Sequence, residues 1–253
     1  MAGNFHGSRI KINRAAKHLT ELNRWPPGGD LYILSVNQDA EHRNMLTLFF
    51  DPKAFPTEDA AVLIGDVLHN LRSALDILWN DVIVECGGAP TKWSRFPVRD
   101  TADELIAPLA NLLKQKQIEI EVQRLLLDHI KPYEAGNYSI WALDDLNIRD
   151  KHQLLIPVLK IMHIRGVCFE DECGKEWPLE RLLMADTLWT LPLPEFYRKD
   201  IRVKNKGHAT TGVFFNHGLP YAGAPVVPTL DRITKEVLRT VEAFSTLLFG
   251  ETG

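Results

Sequence analysis

Cysteine is scarce in this chain. Only Cys86, Cys168 and Cys173 occur in 253 residues, too few for a disulfide framework. The four residues between Cys168 and Cys173 are Phe-Glu-Asp-Glu, and acidic neighbours oppose thiolate formation, so the three thiols read as reduced. Long apolar runs are also missing. No window reaches the ~18 apolar residues of a membrane span, and the first twenty residues lack the apolar core of a signal peptide. A soluble, cytoplasmic protein with no membrane partner is therefore expected. Charge of one sign is absent as well: 29 Lys plus Arg stand against 33 Asp plus Glu, for a net charge of -4, which excludes a wholly basic nucleic-acid coat. No Walker phosphate loop, GxGxxG, GxSxG, HExxH or Cys-x-x-Cys occurs, so P-loop hydrolysis, Rossmann cofactor binding and α/β-hydrolase chemistry find no support, and no cofactor is implied.

What is present is an ordinary globular composition, 45% hydrophobic and 25% charged. Charge is uneven along it. Basic residues gather at Arg9 to Arg24 and again at Arg198 to Lys206, whereas Glu170 to Glu180 leans acidic. Such runs are usually solvated faces, and a polyanion-binding patch is the sharper alternative. The Trp residues (25, 79, 93, 141, 177 and 189) are scattered, which suits core or interface packing better than one stacking platform.

Periodicity divides the chain. Ser8 is placed to cap a helix carrying Ile12, Ala15, Leu19 and Leu22, and Pro26-Pro27-Gly28-Gly29 stops it. Asp30 to Phe50 reads as two strands with a polar turn. Thr57, Glu58 and Asp59 suit the start of a helix that runs to Val84 and stops at Gly87-Gly88. Pro90 and Pro97 mark a linker. Thr101-x-x-Glu104 is a capping-box pattern, and helices follow over about 118–130 and from Ser139 to before Pro157. Val158 to Phe169 and Gly212 to Phe215 favour strand, Leu182 to Leu193 is ambiguous, and Thr229 is placed to cap a last helix through Leu248. The expected fold class is α+β in a single domain, 1–253. Its mainly helical core covers about 8–24, 57–84, 101–156 and 229–249, and its minority of antiparallel β elements lies near 31–50, 158–170 and 209–216.

One helix has an unusual polar face. On a wheel of Ala61 to Val84, Asp66, His69, Asn70, Arg72, Ser73, Asp76 and Asn80 share one arc opposite a leucine-rich side. The bland reading is an amphipathic helix with that arc in water. A solvated arc is normally rich in Lys and Glu, however, and this one has neither. Short, directional hydrogen-bonding groups there point to a second polar surface facing them. A candidate is the helix from Ser139, where Asp145 and His152 fall one heptad apart within the side that carries Trp141, Ile148 and Leu155, with Arg149 at its edge. The bland reading of that pair is a core histidine held by a carboxylate. The sharper one is a site where the two polar faces meet. It would combine His69, Asn70, Arg72, Ser73 and Asp76 with Asp145, Arg149, Asp150, Lys151 and His152.

These residues also carry a resemblance. Arg14-Ala15-Ala16-Lys17-His18-Leu19-Thr20-Glu21-Leu22, the segment Gly65 to Leu78 (GDVLHNLRSALDIL) and Asp150-Lys151-His152-Gln153-Leu154-Leu155 occur here in one order. In this the chain resembles a family of uncharacterised bacterial proteins built around RAxxHLxEL, GDxxHNLRSALDxL and DKHxLL segments, over roughly residues 8 to 156. That resemblance implies a shared fold and no activity. A weaker resemblance is to the HEPN superfamily of helical ribonucleases and nucleotide-binding proteins, which place an Arg and, after four to six intervening residues, a His on a helix, commonly at a dimer interface. It implies a HEPN-like helix bundle acting on or binding RNA or a nucleotide. Arg72 and Lys151 would then hold phosphate, and His69 or His152 would handle protons, with Asp76 beside them. The sequence departs from the HEPN pattern after Arg72, where Ile77 stands in place of the His, and an isoleucine can neither transfer a proton nor donate a hydrogen bond. The same spacing recurs at Arg124 and His129. Two other readings stand beside this one: a non-catalytic interaction or small-ligand-binding module whose polar helix pair fixes packing, and a metal-dependent hydrolase using His69, Asp76, Asp145, Asp150 and His152. His69 and Asp76 lie about two helical turns, or ~10 Å, apart, too far to share one ion comfortably.

Overall fold

The computed structural model describes residues 5–24, 32–39, 44–50, 57–155, 157–183, 188–193 and 200–250. The fold is α+β. Where the sequence suggests one domain, the chain divides into two compact units: residues 1–23, 58–156 and 215–253 form the first, and 24–57 with 157–214 form the second.

The first unit is helical. Its elements are α1 (His6–Asn23), α2 (Thr57–Glu85), α3 (Asp103–Lys114), α4 (Ile120–Arg124) running into a π-helical turn (Leu125–Ile130), α5 (Tyr138–His152) and α6 (Val226–Phe249). Each long helix buries the stripe its periodicity marks. Ile12, Ala15, Leu19 and Leu22 of α1, Ile64, Leu68, Leu71, Leu75 and Leu78 of α2, and Leu230, Ile233, Val237, Val241 and Phe244 of α6 are all buried. Trp79, Phe96 and Phe244 form an aromatic triangle with ring centroids 6.1, 6.5 and 6.4 Å apart, all edge-to-face. Phe96 thus anchors the segment between α2 and α3 in the core.

Several local expectations are corrected here. Thr101 does not cap α3: the N-cap is Ala102, with no side-chain cap bond. Asn137 caps α5, which starts at Tyr138, its side chain accepting from the Ile140 amide at 3.2 Å. α6 begins at Val226, before Thr229, with Pro225 as an extended N-cap residue and no side-chain cap bond. α5 also stops early, since Gln153 is already extended four residues ahead of Pro157. The π-helical turn had no signal in the sequence pattern.

The second unit holds two antiparallel sheets. β1 (Tyr32–Gln38), β2 (Asn44–Phe50) and β5 (Leu188–Pro192) form one in the order β1-β2-β5. The expected turn between β1 and β2 falls mostly outside the described residues, as do the Pro-Pro-Gly-Gly stop and Arg198-Lys199 of the second basic run. The other sheet is organised on the long strand β3 (Val158–Asp171). β4 (Glu176–Leu183) pairs along it from Glu170 back to His163, β6 (Ile201–Asn205) along Cys168 to Asp171, and β7 (His208–Phe214) along Val158 to Arg165. On its surface Glu170 bridges Arg202 at 2.8 Å and Lys204 at 3.2 Å. The two cations hold the Glu170 carboxyl below its ordinary range, chiefly through hydrogen bonds from Arg202 and then Lys204. The three cysteines are free thiols. Among the described residues, no helix is long and apolar enough to cross a membrane.

Candidate functional site

The polar arc of α2 does not meet one surface. It is shared among several neighbours, and the sequence-derived candidates separate accordingly.

Arg72 stands at the centre of the first cluster. It is buried, at 7% exposure, one turn from Asp76 on the same helix. Its Nε donates to Asp144 Oδ1 of α5 at 2.6 Å, and its Nη2 donates to the Phe96 carbonyl at 3.1 Å. Nη1 lies 2.8 Å from Asp76 Oδ1 but is not directed at it as a hydrogen bond, so that contact is ionic only. Asp76 Oδ1 in turn accepts the Phe96 amide at 3.0 Å. A guanidinium taken out of water needs this number of partners. Here they come from α2, α5 and the 96–99 segment, so one side chain fixes the relative placement of three parts of the first unit.

That cluster forms the floor of an open cleft of about 390 Å³. Asn147, Ile148 and Lys151 line it from α5, Pro108, Leu109 and Leu112 from α3, and Trp93, Arg95 and Arg99 from the segment after α2. Arg95, Arg99 and Lys151 are exposed. Arg99 Nη1 donates to the Val98 carbonyl at 2.6 Å, and none of the three cations forms an ion pair among the described residues. Trp93 is 74% exposed, with Lys92 Nζ 5.0 Å from its ring centroid. The floor sets two carboxylates, Asp76 and Asp144, against the single cation Arg72, and the three rim cations outweigh the remaining negative charge, so the cleft is net positive.

A second cluster surrounds Gly65. The Asp150 carboxylate sits against this glycine so closely that a Cβ there would lie 2.5 Å from Asp150 Oδ2. Asp150 Oδ1 is buried without a hydrogen-bond partner. Burial raises the Asp150 carboxyl above its ordinary range. The Leu155 amide opposes this, the charge of Asp66 adds to it, and His69 counteracts it weakly. The Gly-Asp-x-x-His and Asp-Lys-His segments thus do approach each other, through Gly65, Asp66, His69 and Asp150.

The remaining candidates go elsewhere. Asn70 faces α1, accepting from Lys11 Nζ at 3.4 Å while its own amide donates to the Asp66 carbonyl at 2.8 Å. Ser73 is half-buried on the same helix. Asp145 pairs along its own helix with Arg149 at 2.6 Å, and Arg149 Nη1 also reaches the Gly218 carbonyl at 3.2 Å. His69 and His152 are exposed. The expected apolar stripe through Asp145 and His152 is therefore corrected. The buried face of α5 is Ile140, Leu143, Leu146 and Asn147, whereas Ile148 is 49% exposed and Leu155 lies past the helix end. Among the described residues, no group of three or more His, Cys, Asp or Glu side chains is arranged to hold a metal ion.

The site residues missed by sequence reasoning are Asp144, Asn147, Arg95, Arg99 and Trp93. Asp144 shares the helical spacing of Trp141, Ile148 and Lys151 and was readable from it. The arginines flank Phe96-Pro97-Val98 in a stretch that reads as linker, and the burial of these three residues shows that it is packed.

No family model matches this sequence, and no curated protein or solved structure matches it either.

Proposed function

We propose that the α2/α5 cleft binds a phosphate-bearing ligand of the nucleotide class, either a free nucleotide or an RNA segment, in a cytoplasmic protein. One observation carries this reading: three exposed cations that form no ion pair among the described residues, Arg95, Arg99 and Lys151, border a cleft with an exposed tryptophan at its edge. Cations supply phosphate affinity, and an aromatic face supplies sequence-tolerant stacking of a base. In this reading Arg72 does not touch phosphate directly. Asp144, Asp76 and the Phe96 carbonyl occupy it, and its part is to hold the cleft floor rigid.

The reading is limited to binding. Cleavage of RNA requires a group that can accept the ribose proton within hydrogen-bond reach of it, and neither His69 nor His152 lines the cleft. Fluorescence anisotropy with a labelled short RNA, competed by unlabelled mononucleotides, tests the proposal. Saturable binding that falls at least tenfold in Arg95→Ala/Lys151→Ala supports it, and competition by mononucleotide separates the two ligand sources. Absence of binding by both probes, or equal binding by the double variant, would overturn it.

A further inference from the structure

A second pocket, of about 420 Å³, lies on the first unit away from the cleft residues. It is a shallow, open depression bordered by the end of the π-helical turn, the loop that follows, the start of α5, Tyr221 ahead of α6, and Arg232 and Glu236 of α6. Three observations set it apart from an ordinary surface hollow.

The first is backbone conformation. Lys131 and Tyr221 both line this pocket, and both are non-glycine residues in the left-handed region, with φ of 53° and 62°. Such positions are strained for side-chain-bearing residues and persist where the surroundings over-determine them. π-helical turns likewise concentrate at functional sites. The second is rigidity. The Lys131 carbonyl accepts both the Tyr133 and the Asn137 amides at 2.7 Å, closing the loop on itself. Gly136 is required there, since a Cβ would meet that carbonyl oxygen at 2.5 Å. The third is charge. His129, Lys131 and Arg232 line the pocket, and the one carboxylate among its described lining residues, Glu236, is engaged by Arg239 and by Asn137. Arg232 stacks its guanidinium 4.8 Å from the Tyr221 ring centroid, which occupies the face of the group rather than its N–H edge. The Tyr221 and Ser139 hydroxyls lie 3.0 Å apart on the wall beside it.

We propose that this pocket is a separate binding site for a small aryl or other monoester of phosphate. Arg232 and Lys131 would take the phosphate oxygens, with His129 and the Ser139–Tyr221 hydroxyl pair within the same wall. The exposed Tyr138 ring, 4.9 Å from Tyr221 and perpendicular to it, supplies an apolar side for the organic group. The site does not depend on the cleft, and the two are separable by variants.

The test is amide-resolved NMR titration of the full chain with phenyl phosphate, and with inorganic phosphate, at fixed ionic strength. Saturable shifts are expected at Gly136, Asn137 and Ser139, with phenyl phosphate the tighter of the two. Arg232→Ala, whose side chain is exposed and whose folding is checked by its melting curve, should weaken binding at least tenfold, and Arg232→Lys should recover part of it. The cleft variant Lys151→Ala should leave these shifts unchanged. Shifts that never saturate, or that persist in Arg232→Ala, would overturn the proposal. Loss of the shifts in Lys151→Ala would do so as well, because the ligand would then belong to the cleft.

Discussion

Arg72 Nε and Asp144 Oδ1 lie 2.6 Å apart across 72 residues of sequence, with the arginine side chain 9% and the aspartate 24% exposed. This pair joins α2 to α5. With Asp76 and the Phe96 carbonyl completing the arginine's shell, it also fixes the segment that carries Arg95 and Arg99. The cleft floor is therefore held by an ionic network.

Removing the arginine should be costly. Arg72→Ala leaves Asp144 and the Phe96 carbonyl without their shared donor and Asp76 without its ion-pair partner, and breaking a buried pair from one side costs about 3–5 kcal/mol. Both carboxylates keep some solvent access, so about 2–4 kcal/mol is expected in urea denaturation at neutral pH. Arg72→Lys should recover little of it, because an ammonium cannot present the guanidinium's fork to Asp144 and the Phe96 carbonyl together. A loss below 0.5 kcal/mol for either variant would mean the network contributes little to stability.

Gly65 and Asp150 give a second, paired prediction. Gly65→Ala would drive a methyl to 2.5 Å from Asp150 Oδ2, so the substitution should destabilise despite the better helix propensity of alanine. Removing the obstructing carboxylate as well, in Gly65→Ala/Asp150→Ala, should restore much of the loss. A double-mutant cycle in thermal or urea melts reads this directly, and additive losses would refute the close approach.

The same aspartate predicts a pH dependence. Burial holds its carboxyl above the ordinary value of 3.8. The folded state therefore binds that proton more tightly than the unfolded state. The stability it contributes is fully present below the unfolded pKa and is lost as pH rises through the folded one. Asp150→Asn should accordingly be more stable than the parent at pH 7, with the advantage shrinking as pH falls towards 4. An advantage that grows on acidification would contradict the direction of the shift.

His69 and His152 are exposed, and neither lines the cleft. Alanine at each should change stability by no more than about 0.5 kcal/mol, as for surface positions away from buried features, and should leave ligand affinity within twofold. A tenfold loss of affinity in either variant would return that histidine to the site.

Much of the helical unit was legible in the sequence because its signal is local. The leucine and isoleucine stripes of α1, α2 and α6 mark buried faces that the fold then buries. The shortage of Lys and Glu on the α2 arc likewise foreshadowed that Arg72 and Asn70 are buried. What the pattern lacked was the partner. A wheel ranks the faces of α5 by hydropathy, and with aspartates at both 144 and 145 the ranking turned on Trp141 and Ile148. Packing instead buries Ile140, Leu143 and Leu146, which turns Asp144 rather than Asp145 towards Arg72. Arg95 and Arg99 escaped for a different reason: a proline-containing stretch without periodicity carries no sign that Phe96 anchors it in the core. Strands β4 and β6 were missed because short, charged sequences such as IRVKN gain their strand character from pairing with β3, a non-local effect.

The most direct test of the cleft is the salt dependence of its affinity for a labelled short RNA, measured for the parent and for Arg95→Ala/Lys151→Ala. Each phosphate contact to a single strand contributes a slope of about -0.7 in log affinity against log salt. The account predicts a double variant that binds at least tenfold more weakly, with a slope shallower by about 1.4 and an unchanged melting temperature. Parent and variant curves that coincide in both affinity and slope would show that Arg95 and Lys151 hold no phosphate.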